Sequence, residues 1–124
     1  MTKYFYDSYA ILAFVFGVPV YEKYFVNSSG ITTYYNLLEV YYRLLSTNGQ
    51  EKADEVLERF IPHVIWPTFQ DVKPAMQFRL ENKNKRLSYA DCLGYILARK
   101  YKVKFLTGDE GFNGRINVEF VKVN

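Results

Sequence analysis

Short apolar segments alternate along this chain with longer segments that have the apolar spacing of helices. The short segments cover residues 3–6, 63–66, 103–107 and 117–121, and predicted helices occupy the intervals between them. Parallel strands need long, usually helical crossovers, whereas antiparallel strands can be joined by two residues. The pattern therefore predicts an α/β fold, a three-layer α/β/α sandwich around a mainly parallel sheet of about five strands.

Length and composition narrow the class of protein. The 124 residues suit a single domain covering residues 1–124, and a hydrophobic fraction of 49% excludes a disordered chain. The single cysteine, Cys92, can form no internal disulfide, which favours a reducing, cytoplasmic setting. The uncharged segment 9–21 is shorter than the roughly 20 residues of a membrane-spanning helix, so we expect no membrane association and no targeting segment.

Two acidic residues directly follow predicted strands. Asp7 comes after the aromatic run 4–6, and Asp109 comes after the run 105–108. In open parallel sheets ligands bind beyond the carboxyl ends of the strands, so both acids are candidate site residues. Each also has a local interpretation, because Asp7 can cap the next helix and Asp109 can be a turn residue.

Glu39 lies in a predicted helix that begins at Thr32 and reaches about Ser46. The helix is apolar on nearly all sides, which predicts that it is mostly buried. Its polar residues Asn36, Glu39 and Arg43 fall on one stripe, and a buried carboxylate must be paired or bound to a metal. An ion pair between Glu39 and Arg43 explains the stripe equally well.

Asp91 opens the helix predicted over residues 89–101. Ser88 and Asp91 fit a capping box, and capping alone is a sufficient reason for this aspartate. The basic residues just before this helix are candidates for contacts with an RNA backbone or, equally, parts of a solvated loop: Lys83, Lys85 and Arg86.

Taken together, four segments resemble the PIN-domain family, in particular toxin ribonucleases of the VapC type. The segments are YDSYAIL at 6–12, IT at 31–32 with NLLE at 36–39, LSYADCL at 87–93, and LTGD at 106–109 with Phe112. Their order and spacing cover nearly the whole chain. The resemblance implies that four carboxylates hold the catalytic metal, namely Asp7, Glu39, Asp91 and Asp109. It assigns supporting roles to Ser8, Asn36 and Thr107.

The residue types of this set agree with that chemistry. Carboxylate oxygens are hard ligands that select Mg²⁺ or Mn²⁺, and clustered carboxylates repel one another unless a cation neutralises them. His63 is the only histidine, which excludes a ribonuclease that uses two histidines as acid and base. The resemblance thus implies a metal-dependent endoribonuclease acting on RNA, with a protein antitoxin as partner and a homodimer as the assembly.

Two other functions stay open from the sequence. One is a catalytically silent PIN fold that binds RNA or protein. The other is a receiver-like or dehalogenase-like phosphoryl-transfer domain, which also places an aspartate after its first strand, although Tyr9 stands where the dehalogenase motif has a second aspartate. Four aromatic residues are expected in the core, with a partner groove as the alternative: Tyr9, Tyr21, Tyr24 and Phe25. Glu110 is expected to face solvent.

Overall fold

The structure is a computed structural model that describes residues 2–26 and 29–123. Its strands are β1 (Thr2–Tyr6), β2 (Ser29–Thr33), β3 (Val64–Ile65), β4 (Lys104–Thr107) and β5 (Val118–Phe120). Its helices are α1 (Ser8–Val15), α2 (Glu22–Val26), α3 (Tyr34–Asn48), α4 (Gln50–Phe60), α5 (Phe69–Glu81) and α6 (Tyr89–Lys100). Short 3-10 turns lie at Pro19–Tyr21, Ile61–His63, Lys83–Lys85 and Glu110–Phe112.

The five strands form one parallel sheet in the order β3-β2-β1-β4-β5. The chain therefore builds outward from β1 in one direction through β2 and β3, and then crosses back to place β4 on the other side of β1. The carboxyl ends of β1 and β4 flank the point where the strand order reverses, which is where open α/β sheets bind ligands. The predicted fold class and strand number are confirmed.

Consecutive residues of the central strands point into different layers. Tyr6 and Leu106 pack with buried side chains of α1, α3 and α4, whereas Phe5 and Phe105 pack with those of α6. Alternation of side chains along a strand produces this division because the sheet is covered on both faces. The result is the expected three-layer sandwich.

No single helix among the described residues has the length and apolar character to span a membrane, although the bent pair Ser8–Val15 and Pro19–Val26 meets both criteria jointly.

Strand β2 was not expected, since the turn-forming residues at 27–30 indicate a break in the sequence and the predicted helix begins at Thr32. Residues 27 and 28 lie outside the described part of the chain, and α3 begins only after Thr33, which is its N-cap. The strand contains Gly30 and three hydroxyl residues, so it lacks the apolar run that identified the other strands, although Ile31 and the two threonines favour extended structure. Tertiary contacts favour it: Thr32 donates a hydrogen bond to the Tyr6 carbonyl at 2.8 Å, and Gly30 leaves room for the Tyr6 ring.

The prediction that α3 is mostly buried is wrong. Three of its apolar side chains are buried, namely Leu37, Val40 and Leu44. Five others are exposed, namely Tyr34, Tyr35, Leu38, Tyr42 and Leu45. The reason is that the helix packs mainly against α1 and α4, which cover only one side of it. An apolar surface of this kind on a small protein is typical of a protein interface.

The aromatic residues near the N-terminus belong to the core. Tyr21, Tyr24 and Phe25 are buried, and half-buried Tyr9 packs against the same cluster. The expected core role is confirmed, and the alternative of an open groove formed by these residues is wrong.

Gly94, in the middle of α6, marks a close approach between this helix and the sheet. A Cβ atom at this position would lie 2.7 Å from Phe5 Cε1 and 3.1 Å from Phe105 Cε1. We expect Gly94→Ala to destabilise the protein by about 1–3 kcal/mol through overpacking, although alanine is the better helix former by about 1 kcal/mol. Urea unfolding of both proteins measures this, and a more stable variant would contradict the close packing.

Candidate functional site

Asp7 lies at the carboxyl end of β1 and is almost completely buried, with 1% of its surface exposed. Its Oδ2 atom accepts a hydrogen bond from Thr107 Oγ1 at 2.6 Å. Its Oδ1 atom is buried, and no described residue donates a hydrogen bond to it. Asp7 occupies the N-cap position of α1, but its side chain makes no capping hydrogen bond. The capping interpretation of Asp7 is therefore wrong, and its buried oxygen requires another explanation.

Thr107 links Asp7 to Asp109 across the ends of β1 and β4. Its hydroxyl donates to Asp7 and accepts a hydrogen bond from the Asp109 amide at 3.1 Å. Asp109 Oδ1 accepts from the Gly111 amide at 2.9 Å, so the predicted turn role of this residue is confirmed. The Oδ2 atom of Asp109 remains for other ligands. Glu110, next to it, is exposed and forms an ion pair with Lys122 at 3.4 Å, as expected for a residue that faces solvent.

Ser8 connects α1 to the polar stripe of α3. Its hydroxyl donates to Glu39 Oε1 at 2.7 Å and accepts a hydrogen bond from Asn36 Nδ2 at 3.0 Å. Asn36 is fully buried, and its Oδ1 atom accepts from Thr33 Oγ1 at 2.6 Å. From the sequence, Thr32 and Thr33 were expected only to open the helix, and the role of Thr33 in holding Asn36 was missed.

Glu39 differs from its expected environment. It is exposed rather than buried, on a helix that packs chiefly against α4 and less extensively against α1. The ion pairs of the described residues do not include one between Glu39 and Arg43. The interpretation of Glu39 as an internal ion pair is wrong, and the contact that positions its carboxylate is the hydrogen bond from Ser8.

Asp91 forms the capping box that the sequence predicted. Its Oδ2 atom accepts from the Ser88 amide at 2.9 Å, and its own amide donates to Ser88 Oγ at 3.0 Å. These bonds fix the first turn of α6 and use one carboxylate oxygen. Capping and ligand binding are thus compatible for Asp91, since its Oδ1 atom is not used by the box.

The four acids are close enough to influence one another electrostatically. Burial raises the pKa of Asp7 well above its usual range, and the neighbouring Asp91 carboxylate, with a smaller contribution from Asp109, raises it further. Burial also raises the pKa of Asp91, and Glu39 and Asp109 add to that effect. Both shifts mean that negative charge at this edge of the sheet is poorly stabilised by the protein's own groups.

The donor chemistry of this edge fits a divalent cation. All the candidate ligand atoms are carboxylate oxygens, and the unpartnered Oδ1 atom of Asp7 would gain a partner in a bound cation. Within residues 2–26 and 29–123, however, no group of three or more His, Cys, Asp or Glu side chains is arranged to hold a metal ion. The full set of four ligands stays a prediction.

Basic residues precede α6, the helix that carries Asp91. The 3-10 turn Lys83–Lys85 and Arg86 are exposed and precede α6, as the sequence indicated, and their contact with RNA also stays a prediction. His63 has a structural role, because its Nδ1 atom lies 2.7 Å from the Gly30 carbonyl oxygen and joins the start of β3 to β2.

Comparison with known proteins agrees with this architecture. The structure is similar to a chain of a toxin-antitoxin complex from Klebsiella pneumoniae, with a TM-score of 0.76 and 14% identity over 98% of this chain and 99% of that chain. It is also similar to a chain of VapBC2 from Rickettsia felis bound to a DNA fragment from their promoter, with a TM-score of 0.71 and 15% identity over 100% of both chains. No curated protein matches the sequence. The sequence profile of the PIN domain matches residues 4–115, so this chain belongs to the PIN-domain family.

Proposed function

We propose that this protein is a Mg²⁺- or Mn²⁺-dependent endoribonuclease, acting in the cytoplasm as the toxin of a toxin-antitoxin pair. The observation that carries the proposal is the buried Asp7, which keeps one oxygen without a partner beside Asp91 and Asp109 at the point where the strand order reverses. Membership of the PIN-domain family supports a nuclease and argues against a receiver-like or dehalogenase-like domain.

In this proposal Asp7, Glu39, Asp91 and Asp109 hold the metal. A bound Mg²⁺ or Mn²⁺ would lower the pKa of a coordinated water and stabilise the charge that develops on the phosphate oxygens. Thr107 holds one oxygen of Asp7, which leaves the other, unpartnered oxygen as the one that would hold the cation.

Ser8 orients the Glu39 carboxylate, and Asn36, itself held by Thr33, orients Ser8. The buried members of this network restrict side-chain motion where RNA would react.

The exposed apolar side of α3 supports a protein partner. Tyr34, Leu38 and Trp66 line an open pocket of about 370 Å³ between α3, α4 and β3, and the Tyr34 and Trp66 rings stack with centroids 5.4 Å apart. Aromatic side chains that are exposed and rigid are typical anchors of protein interfaces. We propose that this surface takes part in binding an antitoxin or in forming a homodimer.

Cleavage of single-stranded RNA tests the proposed activity. We expect cleavage with Mn²⁺ or Mg²⁺, none in excess EDTA, and recovery when metal is restored. The Asp109→Asn variant should lose at least about 100-fold in rate, because a neutral amide is a weaker ligand than a carboxylate. It should still fold, since an asparagine oxygen can accept the Gly111 hydrogen bond.

The matched control is Asp54→Asn, an exposed acid on α4 that accepts a hydrogen bond from Tyr41 at 2.7 Å and lies outside the site. It should cleave as the wild type does. If the folded wild-type protein cleaves no RNA with either metal, the nuclease proposal is wrong, and a PIN fold that only binds RNA or protein takes its place.

A further inference from the structure

A second pocket, of about 490 Å³, opens between α5, α6 and the loop that follows β4. Its basic lining residues are Lys85, Arg99 and Arg115, and no acidic side chain lines it. None of the three takes part in the ion pairs of the described residues. Three cations around one concave surface, without carboxylates to balance them, produce a local positive potential that attracts anions.

The walls of the pocket are fixed by aromatic packing. Phe78 and Tyr95 stack with ring centroids 4.8 Å apart, and the Tyr95 hydroxyl donates to the Ile116 carbonyl at 2.9 Å. The Arg115 guanidinium lies 5.1 Å from the Phe78 ring centroid and donates a hydrogen bond to Asn82. Arg115 is therefore held in place at the wall, which reduces the entropy that it would lose on binding an anion.

The other two basic side chains, Lys85 and Arg99, are exposed and can change conformation when an anion binds. Arg99, on the last turn of α6, is exposed with its guanidinium 6.0 Å from the Tyr95 ring centroid, and Lys85 is exposed at the end of its 3-10 turn. Arginine binds phosphate oxygens through two parallel hydrogen bonds, and lysine adds a point charge. One fixed and two adaptable cations above an aromatic wall suit a phosphodiester and its attached sugar.

The pocket adjoins the carboxylate edge. Gly111 lines the pocket, and its amide donates to Asp109 Oδ1 at 2.9 Å. The side chain of Leu87, between the basic turn and α6, lies against the same glycine. Gly111 therefore borders both the pocket and the Asp109 carboxylate.

We propose that the pocket formed by Lys85, Arg99 and Arg115 binds a backbone phosphate of the RNA strand and so positions the strand at the carboxylates. The inference rests on the proposed ribonuclease function and adds a substrate-binding site to it. Arg99 and Arg115 become substrate-binding residues, which the sequence did not indicate because they are 16 residues apart in the chain, one on α6 and the other in the loop before β5.

Fluorescence anisotropy with a labelled single-stranded RNA in EDTA tests the pocket without cleavage. The double variant Lys85→Gln with Arg99→Gln should bind about 10-fold more weakly, and its plot of log affinity against log salt should be less steep by about 0.7, the value for one phosphate contact. The matched control is Lys23→Gln with Lys104→Gln, which removes the same charge from exposed residues on α2 and at the amino end of β4. It should bind nearly as the wild type does.

Equal weakening in both double variants would overturn the proposal, because it would show a general charge effect. Unchanged binding in the pocket variant would overturn it as well. The proposal would also be overturned if adenosine 5′-monophosphate bound in the pocket but did not compete with the labelled RNA.

Cleavage with Mn²⁺ separates this inference from the proposed function. The pocket variant should raise KM about 10-fold and leave kcat unchanged. A wild type that binds RNA through the pocket without cleaving it would refute only the nuclease activity.

Discussion

Asp91→Asn is expected to reduce metal-dependent RNA cleavage by at least about 100-fold while the protein stays folded. The asparagine oxygen can still accept the hydrogen bond from the Ser88 amide, which Asp91 accepts at 2.9 Å, so the start of α6 keeps its cap. The substitution removes the negative charge that a cation requires. Cleavage rates in Mn²⁺ and urea unfolding curves of the same preparation measure the two effects separately.

Ser88→Ala is the matched control, because it damages the cap and leaves the carboxylate. It removes the hydroxyl that accepts from the Asp91 amide at 3.0 Å, which should cost about 1 kcal/mol of folding stability. Its cleavage rate at a temperature where it is folded should stay within a few-fold of the wild type. If both variants lose activity only in proportion to lost stability, Asp91 is a structural capping residue and no metal ligand.

Asp7→Asn is expected to make the protein more stable in EDTA at neutral pH, by about 1–3 kcal/mol. The wild-type protein buries a carboxylate whose Oδ1 atom has no donor among the described residues, and Asp91 and Asp109 repel its charge. An amide removes that charge and can still accept the Thr107 hydrogen bond. Thermal unfolding should show a melting temperature higher by roughly 3–10 °C.

The pH dependence of this gain follows from the sign of the pKa shift. The pKa of Asp7 is raised in the folded protein, so the protonated carboxyl favours folding below its unfolded pKa, and that contribution is lost as the pH rises through the folded pKa. The stability difference between Asp7→Asn and wild type should therefore be small near pH 4 and larger at pH 7. A difference that is constant across this range, or of opposite sign, would contradict the buried charge.

The same thermal unfolding experiment is repeated with added Mn²⁺. It should stabilise the wild type, by about 2.7 kcal/mol at 100 times its dissociation constant, and should stabilise Asp7→Asn much less. The exposed Asp54→Asn variant should match the wild type both with and without metal. Stabilisation by Mn²⁺ that is equal in all three proteins would place the cation elsewhere.

In a cluster of carboxylates that binds a metal ion, substituting one acid is expected to raise the folding stability and to lower the catalytic activity. Without a cation, clustered carboxylates lower the folding stability, because internal partners do not offset their mutual repulsion and their loss of hydration. Asp7 and Asp91 both have a raised pKa in this structure. Asp71, by contrast, is a buried acid whose charge is paired with Lys100 at 3.1 Å, and it lies in the capping box of α5.

The sequence by itself determined the fold class and the candidate acids. Alternation of apolar runs and long helical segments indicates parallel crossovers. It correctly predicted β1, β3, β4 and β5 together with α3 and α6 to within a few residues, and it predicted helices in the intervals that α4 and α5 occupy. Asp7 and Asp109 could be found because acids directly after strands have a fixed place at the sheet edge. The capping box at Ser88 and Asp91 could be read because capping depends on residues only three positions apart.

Only the tertiary structure decided how those elements meet. Strand β2 forms because it lies between β1 and β3; its Ile-Thr-Thr end suits a strand, but Ser29 and Gly30 leave it without the apolar run that identified the other strands. The exposure of Glu39 and of one side of α3 depends on which helices cover it, and helical periodicity contains no information on neighbours. The basic pocket brings together Lys85, Arg99 and Arg115 from three separate parts of the chain. Local patterns follow from short-range stereochemistry, whereas burial, charge repulsion and pockets depend on distances that exist only once the sheet order is set.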